Sequence, residues 1–151
     1  MKPVFVGLSA AIVSLAMAPA AFACSCMQYQ SASEQAEAAD VIFVGHVVDA
    51  GPARDTRGFF QRLQDWSTGH KPMRDEITTF QVDRVIKGGV DGDLSIRHLP
   101  GIHSATCGVS FPKGQEVIVL AYSGSDGQLT TSLCSWPQFT ADAFVESTQS
   151  D

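Results

Sequence analysis

VIFVGHVVD, residues 41–49, is a dense run of β-branched side chains. It is too short for a core helix and reads as a buried strand. Gly45 interrupts it and marks a bulge or a sharp coil. Downstream, ITTFQVDRVI (77–86) alternates: Ile77, Thr79 and Gln81 share one face, and Thr78, Phe80 and Val82 the other. Lys87-Gly88-Gly89 is a turn, Asp93 to His98 a short strand, and Leu99-Pro100-Gly101 ends it. EVIVLAY (116–122) is another buried strand. Ser123 to Gly127 is a Gly-rich hairpin turn, with a fifth strand over Gln128 to Leu133.

Helices flank this set. In SASEQAEAAD (31–40), Ser31 and Glu34 fit a capping box and the alanines favour helix. Pro137 suits a helix N-terminus, and a last helix is predicted over Phe139 to Val145. Between the first two strands, Ala50 to Glu76 mixes glycines and prolines with FFQRLQDW, enough for one or two helical turns. Five short strands without crossover helices predict a mostly β fold, a five-stranded OB-like Greek-key barrel with short flanking helices.

The N-terminus fixes the compartment. After Lys2 comes an apolar run from Val4 to Ala18, then Pro19 and Ala21-Phe22-Ala23. Small residues at −3 and −1 are what a signal peptidase reads, so residues 1–23 are expected to be a cleaved signal peptide and 24–151 the mature domain. A transmembrane anchor is the other reading, but Gly7, Ser9, Ser14 and Pro19 interrupt the run. No later stretch is long and apolar enough to span a bilayer. Acylation of Cys24 by lipoprotein machinery would consume its α-amine. That enzyme selects a larger aliphatic residue at −3 and a small one at −2, where this chain has Ala21 and Phe22. Export places the chain in a periplasmic or extracellular space.

Cleavage leaves 128 of the 151 residues, enough for one domain with one core. It removes Lys2, so nine Lys+Arg face sixteen Asp+Glu, a net charge of −7. Such a surface argues against nucleic acid as a partner, because phosphate neutralisation supplies most of that affinity. Cys24, Cys26, Cys107 and Cys134 all lie in the mature part, an even count that reads as two disulfides. A Cys24–Cys26 bridge would close a strained ring. The two remaining pairings both staple the N-terminus to the second half of the chain. Closing such loops is worth about 4–5 kcal/mol in the chain-entropy model.

A mature Cys-x-Cys start, a short helix and then ADVIFVGHVVDA (39–50) resembles the opening of the tissue inhibitors of metalloproteinases, whose shared module is the netrin-like domain. ITTFQVDRVIKG (77–88), ATCG (105–108) and QLTTSLCSW (128–136) resemble, in order, that family's second strand, its central cysteine motif and the end of its inhibitory domain. The resemblance implies an OB-like barrel with bridges Cys24–Cys107 and Cys26–Cys134. It also implies an inhibitory ridge of Cys24, Ser25 and Cys26 beside Ala105, Thr106 and Cys107. In the inhibitors, the first cysteine's α-amine and carbonyl oxygen chelate the target protease's catalytic zinc. The second residue points into the specificity pocket, and the long connection after the first strand adds contacts in some members. The implied partner is a zinc metallopeptidase and the implied metal ligand is Cys24. The zinc comes from the target, and the chain needs no cofactor of its own. The family's third bridge and its Cys-rich C-terminal part are missing here. The competing expectation is an extracellular netrin-like module without inhibitory activity.

Other constellations carry less. His46, His70, His98 and His103 have no close ligand spacing, and His46 reads as a satisfied core or edge residue. Asp49, Ser104 and Ser110 belong to no nucleophile-elbow pattern, so no enzyme is predicted. Phe59, Phe60 and Trp66 either anchor a partner or pack down on the barrel.

Overall fold

Strand β1 (Val41–Pro52) is the hub of the molecule, because it pairs antiparallel with β2 (Glu76–Lys87) on one side and β4 (Glu116–Ser123) on the other. β3 (Asp93–His98) runs antiparallel to β2, and β5 (Leu129–Thr130) joins β4 antiparallel and β3 parallel. The result is a closed barrel of order β1-β2-β3-β5-β4, the OB-like Greek key expected from the strand count. Helix α1 (Ala32–Ala38) precedes β1, α2 (Phe59–Thr68) lies between β1 and β2, and α3 (Ala141–Gln149) closes the chain. This computed structural model describes residues 24–55, 57–69, 72–101 and 107–149. The predicted signal peptide, 1–23, lies outside the described residues, as do His70, His103, Ser104, Ala105 and Thr106.

Two cores explain why the start of β1, residues 41–44, is continuously apolar. Val41, Phe43 and Val47 face the barrel interior with Phe80, Ile96 and Val119. Ile42 faces the other way, onto Leu120, Ala36, Ala39 and Phe144 under α1 and α3. A strand buried on both faces loses the period-two alternation. Past Val47 no residue of β1 is buried. Inside the barrel, Phe80 meets Phe43 and Phe111 edge to face, at centroid distances of 5.5 and 5.1 Å. Each such pair adds about 0.5–1.5 kcal/mol beyond its area. The expected irregularity at Gly45 is real. The β1–β2 register shifts between Val44 and Gly45, and a Cβ at 45 would sit 2.5 Å from the Gln81 carbonyl oxygen.

The helix ends follow their caps. Ser31 Oγ accepts the Glu34 N–H at 3.2 Å, and Glu34 Oε2 accepts the Gln30 N–H at 2.7 Å. At the other end of α1, Lys87 Nζ donates to the carbonyls of Ala36 (2.8 Å) and Ala39 (2.7 Å), which ends the helix before residue 40. α3 starts at Ala141, two residues later than predicted. Thr140 caps it through the Ala143 N–H, and Phe139 stays outside, ring-to-edge on Phe144 at 6.2 Å. That contact is a hydrophobic staple. β5 is the main correction: it spans two residues, not 128–133. The Thr131 N–H still reaches the Arg97 carbonyl, but the chain then curls into a 3-10 turn at Leu133–Ser135 that delivers Cys134 to its bridge.

Candidate functional site: a cross-linked N-terminal ridge

Residues 24–30 have no helix or strand of their own and carry no charged side chain. Four devices hold them. Cys24 is bridged to Cys107 and Cys26 to Cys134, with Cα–Cα distances of 5.6 and 4.9 Å. These are the pairings the resemblance implies. Between the half-buried cysteines, Ser25 is exposed, and Met27 beyond them is exposed too.

The third and fourth devices are glutamines. The Gln138 side chain acts as a surrogate peptide edge: its Oε1 accepts the Tyr29 N–H at 3.0 Å, and its Nε2 donates to the Met27 carbonyl at 2.9 Å. Gln35, fully buried on α1, fixes Gln138 in turn. Its Oε1 accepts the Gln138 N–H and its Nε2 donates to the Trp136 carbonyl, both at 3.0 Å. Sequence reasoning missed this pair. The available signal was one polar residue beside Ala36 and Ala39 on the apolar face of α1, where an unpartnered amide would be costly. Replacing Gln138 by Ala is expected to cost about 1 kcal/mol, since its clamp bonds are solvent-accessible. It should raise hydrogen exchange at the Tyr29 amide, which exchange mass spectrometry or NMR would read.

The segment facing the ridge is held just as closely. Cys107 has φ +51°, the one non-glycine residue in the left-handed region among those described. Its carbonyl accepts the Leu133 N–H at 2.8 Å, and the Val109 N–H donates to Leu99 at 3.0 Å. A side chain at Gly108 would lie 2.1 Å from the Pro100 carbonyl oxygen, so only glycine fits there. Beneath this segment His98 is buried. Its Nδ1 lies 3.1 Å from the Leu99 carbonyl, which can only accept, so Nδ1 carries the proton. Its Nε2 lies 2.8 Å from the Thr78 hydroxyl, so both ring nitrogens are satisfied.

An open cleft of ≈420 Å³ lies against Cys107, walled by Gly108, Val109, Ser110, Leu133 and Trp136. Trp136 stacks on Phe111 at 6.4 Å, which ties the wall to the core. A second cleft of ≈390 Å³ lies against Cys134, between Met27, Tyr29 and Tyr122. Burial first, then the neighbouring Tyr29, pushes the Tyr122 hydroxyl above its ordinary pKa. At the barrel end near this cleft, Asp40 accepts the Ser123 N–H at 2.6 Å, which holds its carboxyl below the usual range.

Of the six ridge residues expected, the structure brings Cys24, Ser25, Cys26 and Cys107 together; Ala105 and Thr106 lie outside the described residues. His46 is not a core residue. It is half-exposed on β1, with Nδ1 2.5 Å from Asp83 Oδ2 and Nε2 3.8 Å from Glu116 Oε2. The three ligand atoms lie within 4.8 Å of one another, but both imidazole nitrogens already face carboxylates, and exposed acidic groups of this kind are common without an ion. It sits on strands that carry none of the cysteines. Ser110 lines the first cleft, and Asp49 pairs with Thr79 along β1 and β2.

No family model matches this chain, and no curated protein matches it.

Proposed function

We propose that this protein is an exported inhibitor of a zinc metallopeptidase, of the kind the tissue inhibitors of metalloproteinases represent. The observation that carries the reading is the pair of bridges that pins residues 24 and 26 while leaving Ser25 exposed between them. Two disulfides suit an oxidising compartment, and no helix among the described residues is long and apolar enough to cross a membrane.

Cleavage after Ala23 makes Cys24 residue one. Its amine and its carbonyl oxygen then close a five-membered ring on a metal. A catalytic zinc site keeps one position for water or substrate, and this pair of ligands fills it. Ser25 projects beyond the metal and is small enough to enter a pocket without dictating selectivity. The bridges and the Gln138 clamp order the ridge in advance, so docking loses little entropy. No side chain of residues 24–30 is charged, so apart from the α-amine, which ligates in its neutral form, the tip enters a cleft without stranding a charge.

The test is a titration of the purified protein against a panel of zinc endopeptidases. Stoichiometric inhibition of at least one is expected. Full activity of all of them would favour the non-inhibitory module instead.

The reading also sets a pH dependence. Only the neutral amine ligates, and an unperturbed α-amine has a pKa of about 7.7–8.0. Protonation below that value competes with the metal, so binding releases a proton. The inhibition constant should rise about tenfold for each pH unit below about 7.5 and level off above about 8.5. Measurements should use a peptidase whose own activity is flat over that window. A flat inhibition profile contradicts amine ligation.

A further inference from the structure

Helix α2 carries an apolar stripe that it does not bury. Its apolar residues Phe59, Leu63 and Trp66 recur at helical spacing, and Phe60 widens the stripe to about a third of the circumference. None is buried: Phe59 is 70% exposed, Phe60 83%, Leu63 47% and Trp66 81%. Of the polar face only Asp65 is tied down; the rest of it is exposed as well. Asp65 accepts from Arg57 Nη1 at 2.5 Å, and Arg57 Nη2 donates to Asp55 at 2.9 Å. Arg74 reaches the same Asp55 at 3.4 Å from the far end of the connection. This network links the helix through Asp65 to the two ends of its own connection, and no part of it covers the aromatic face.

Charge is segregated to the same stretch of the sequence. Residues 54–74 hold five Lys+Arg and two Asp, a net +3. The rest of 24–151 holds four Lys+Arg against fourteen Asp+Glu, a net −10. Helical spacing puts Arg62 at the margin of the apolar stripe, where a long side chain can reach headgroups while the rings bury.

We propose that α2 is a peripheral membrane-docking helix that lies in the headgroup region of a bilayer containing anionic phospholipid. Aromatic residues on one face with arginines at the margin and flanks is the pattern of interfacial helices. Anionic headgroups complement the +3 segment and repel the −10 remainder, which sets the orientation. The area argues against a protein partner held by this face alone. The four side chains offer roughly 500–600 Å², on the scale of 150–250 Å² per aromatic residue. A stable protein interface needs about 800 Å² per partner. A bilayer needs no complementary pocket. This inference does not rest on the inhibitor reading.

The experiment is co-sedimentation of the purified protein with two kinds of vesicle. One is phosphatidylcholine alone, the other equal parts phosphatidylcholine and phosphatidylglycerol. Binding is expected on the mixed vesicles, weaker by about tenfold or more on the neutral ones, and weakened by salt. The Phe60→Glu/Trp66→Glu double variant should lose about tenfold or more of the partitioning on mixed vesicles. Because both positions are exposed, its circular dichroism and melting should match wild type. Quenching of tryptophan emission by brominated lipid in wild type, and its loss in the Trp66→Glu variant, which keeps Trp136, reads insertion of α2. No partitioning, or equal partitioning of the double variant, overturns the proposal. So does a wild-type dimer in sedimentation that the variant lacks, which would put a second copy on this face.

Discussion

One alanine inserted before Cys24 is expected to abolish inhibition while leaving the fold intact. The insertion turns the Cys24 amine into a peptide nitrogen, whose lone pair is delocalised into the carbonyl and no longer ligates. The new amine starts one residue further out, its Cα 3.8 Å from that of Cys24, and cannot form the same ring. Nothing else changes. Both bridges, the Gln138 clamp and the barrel are downstream of the insertion. The inhibition constant should rise by about a thousandfold or more, which corresponds to about 4 kcal/mol. Thermal unfolding measured in parallel should not move. Unchanged inhibition would reject amine chelation even if the protein remained an inhibitor by another route.

Replacing Cys26 and Cys134 together by serine should have the largest effect on stability. The bridge spans 108 residues of sequence. On the chain-entropy model, closing a loop of that length is worth about 4–5 kcal/mol. For a domain of this size that is a fall in melting temperature of about 15–20 °C. Function should suffer separately. Without this bridge, Cys24–Cys107 and the solvent-exposed Gln138 bonds must hold residues 24–30, and the tip must be ordered on binding. Inhibition is therefore expected to weaken even at temperatures where the barrel is folded. Differential scanning calorimetry checks the first effect and an inhibition titration the second. A loss below about 1 kcal/mol would mean the bridge constrains little in the unfolded chain.

The barrel was legible because its signals are local. Val41 to Asp49, Ile77 to Ile86 and Glu116 to Tyr122 each declare a strand by β-branched density or alternation. Gly45 declared its bulge because only glycine tolerates the approach of the Gln81 carbonyl. What failed was set by distant partners. The fifth strand stops after Thr130 because Cys134 is drawn to Cys26, and no window of sequence contains both cysteines. α1 ends early because Lys87, on another element, occupies its last carbonyls. His46 reads from its apolar neighbours as a satisfied core or edge residue; it is satisfied, but at the surface rather than in the core. The register that sets it beside Asp83 and Glu116 is a property of three strands together. At the ridge, the cysteine motifs pointed to the cross-linked tip. The glutamines that hold it were silent, because residue 35 meets residues 136 and 138 only in the folded barrel. The outward-facing stripe of α2 was half legible. Its spacing was visible, but whether the stripe packs on the barrel or faces solvent is a property of the folded chain, in which no residue of α2 is buried.

The inhibitor proposal comes down to what stands at the head of the processed chain, and an intact mass spectrum of the protein recovered from its export compartment reads that directly. The account predicts the mass of residues 24–151, without adducts and lighter by four hydrogens. A mass that retains leader residues, or that carries an acyl group on Cys24, would contradict it.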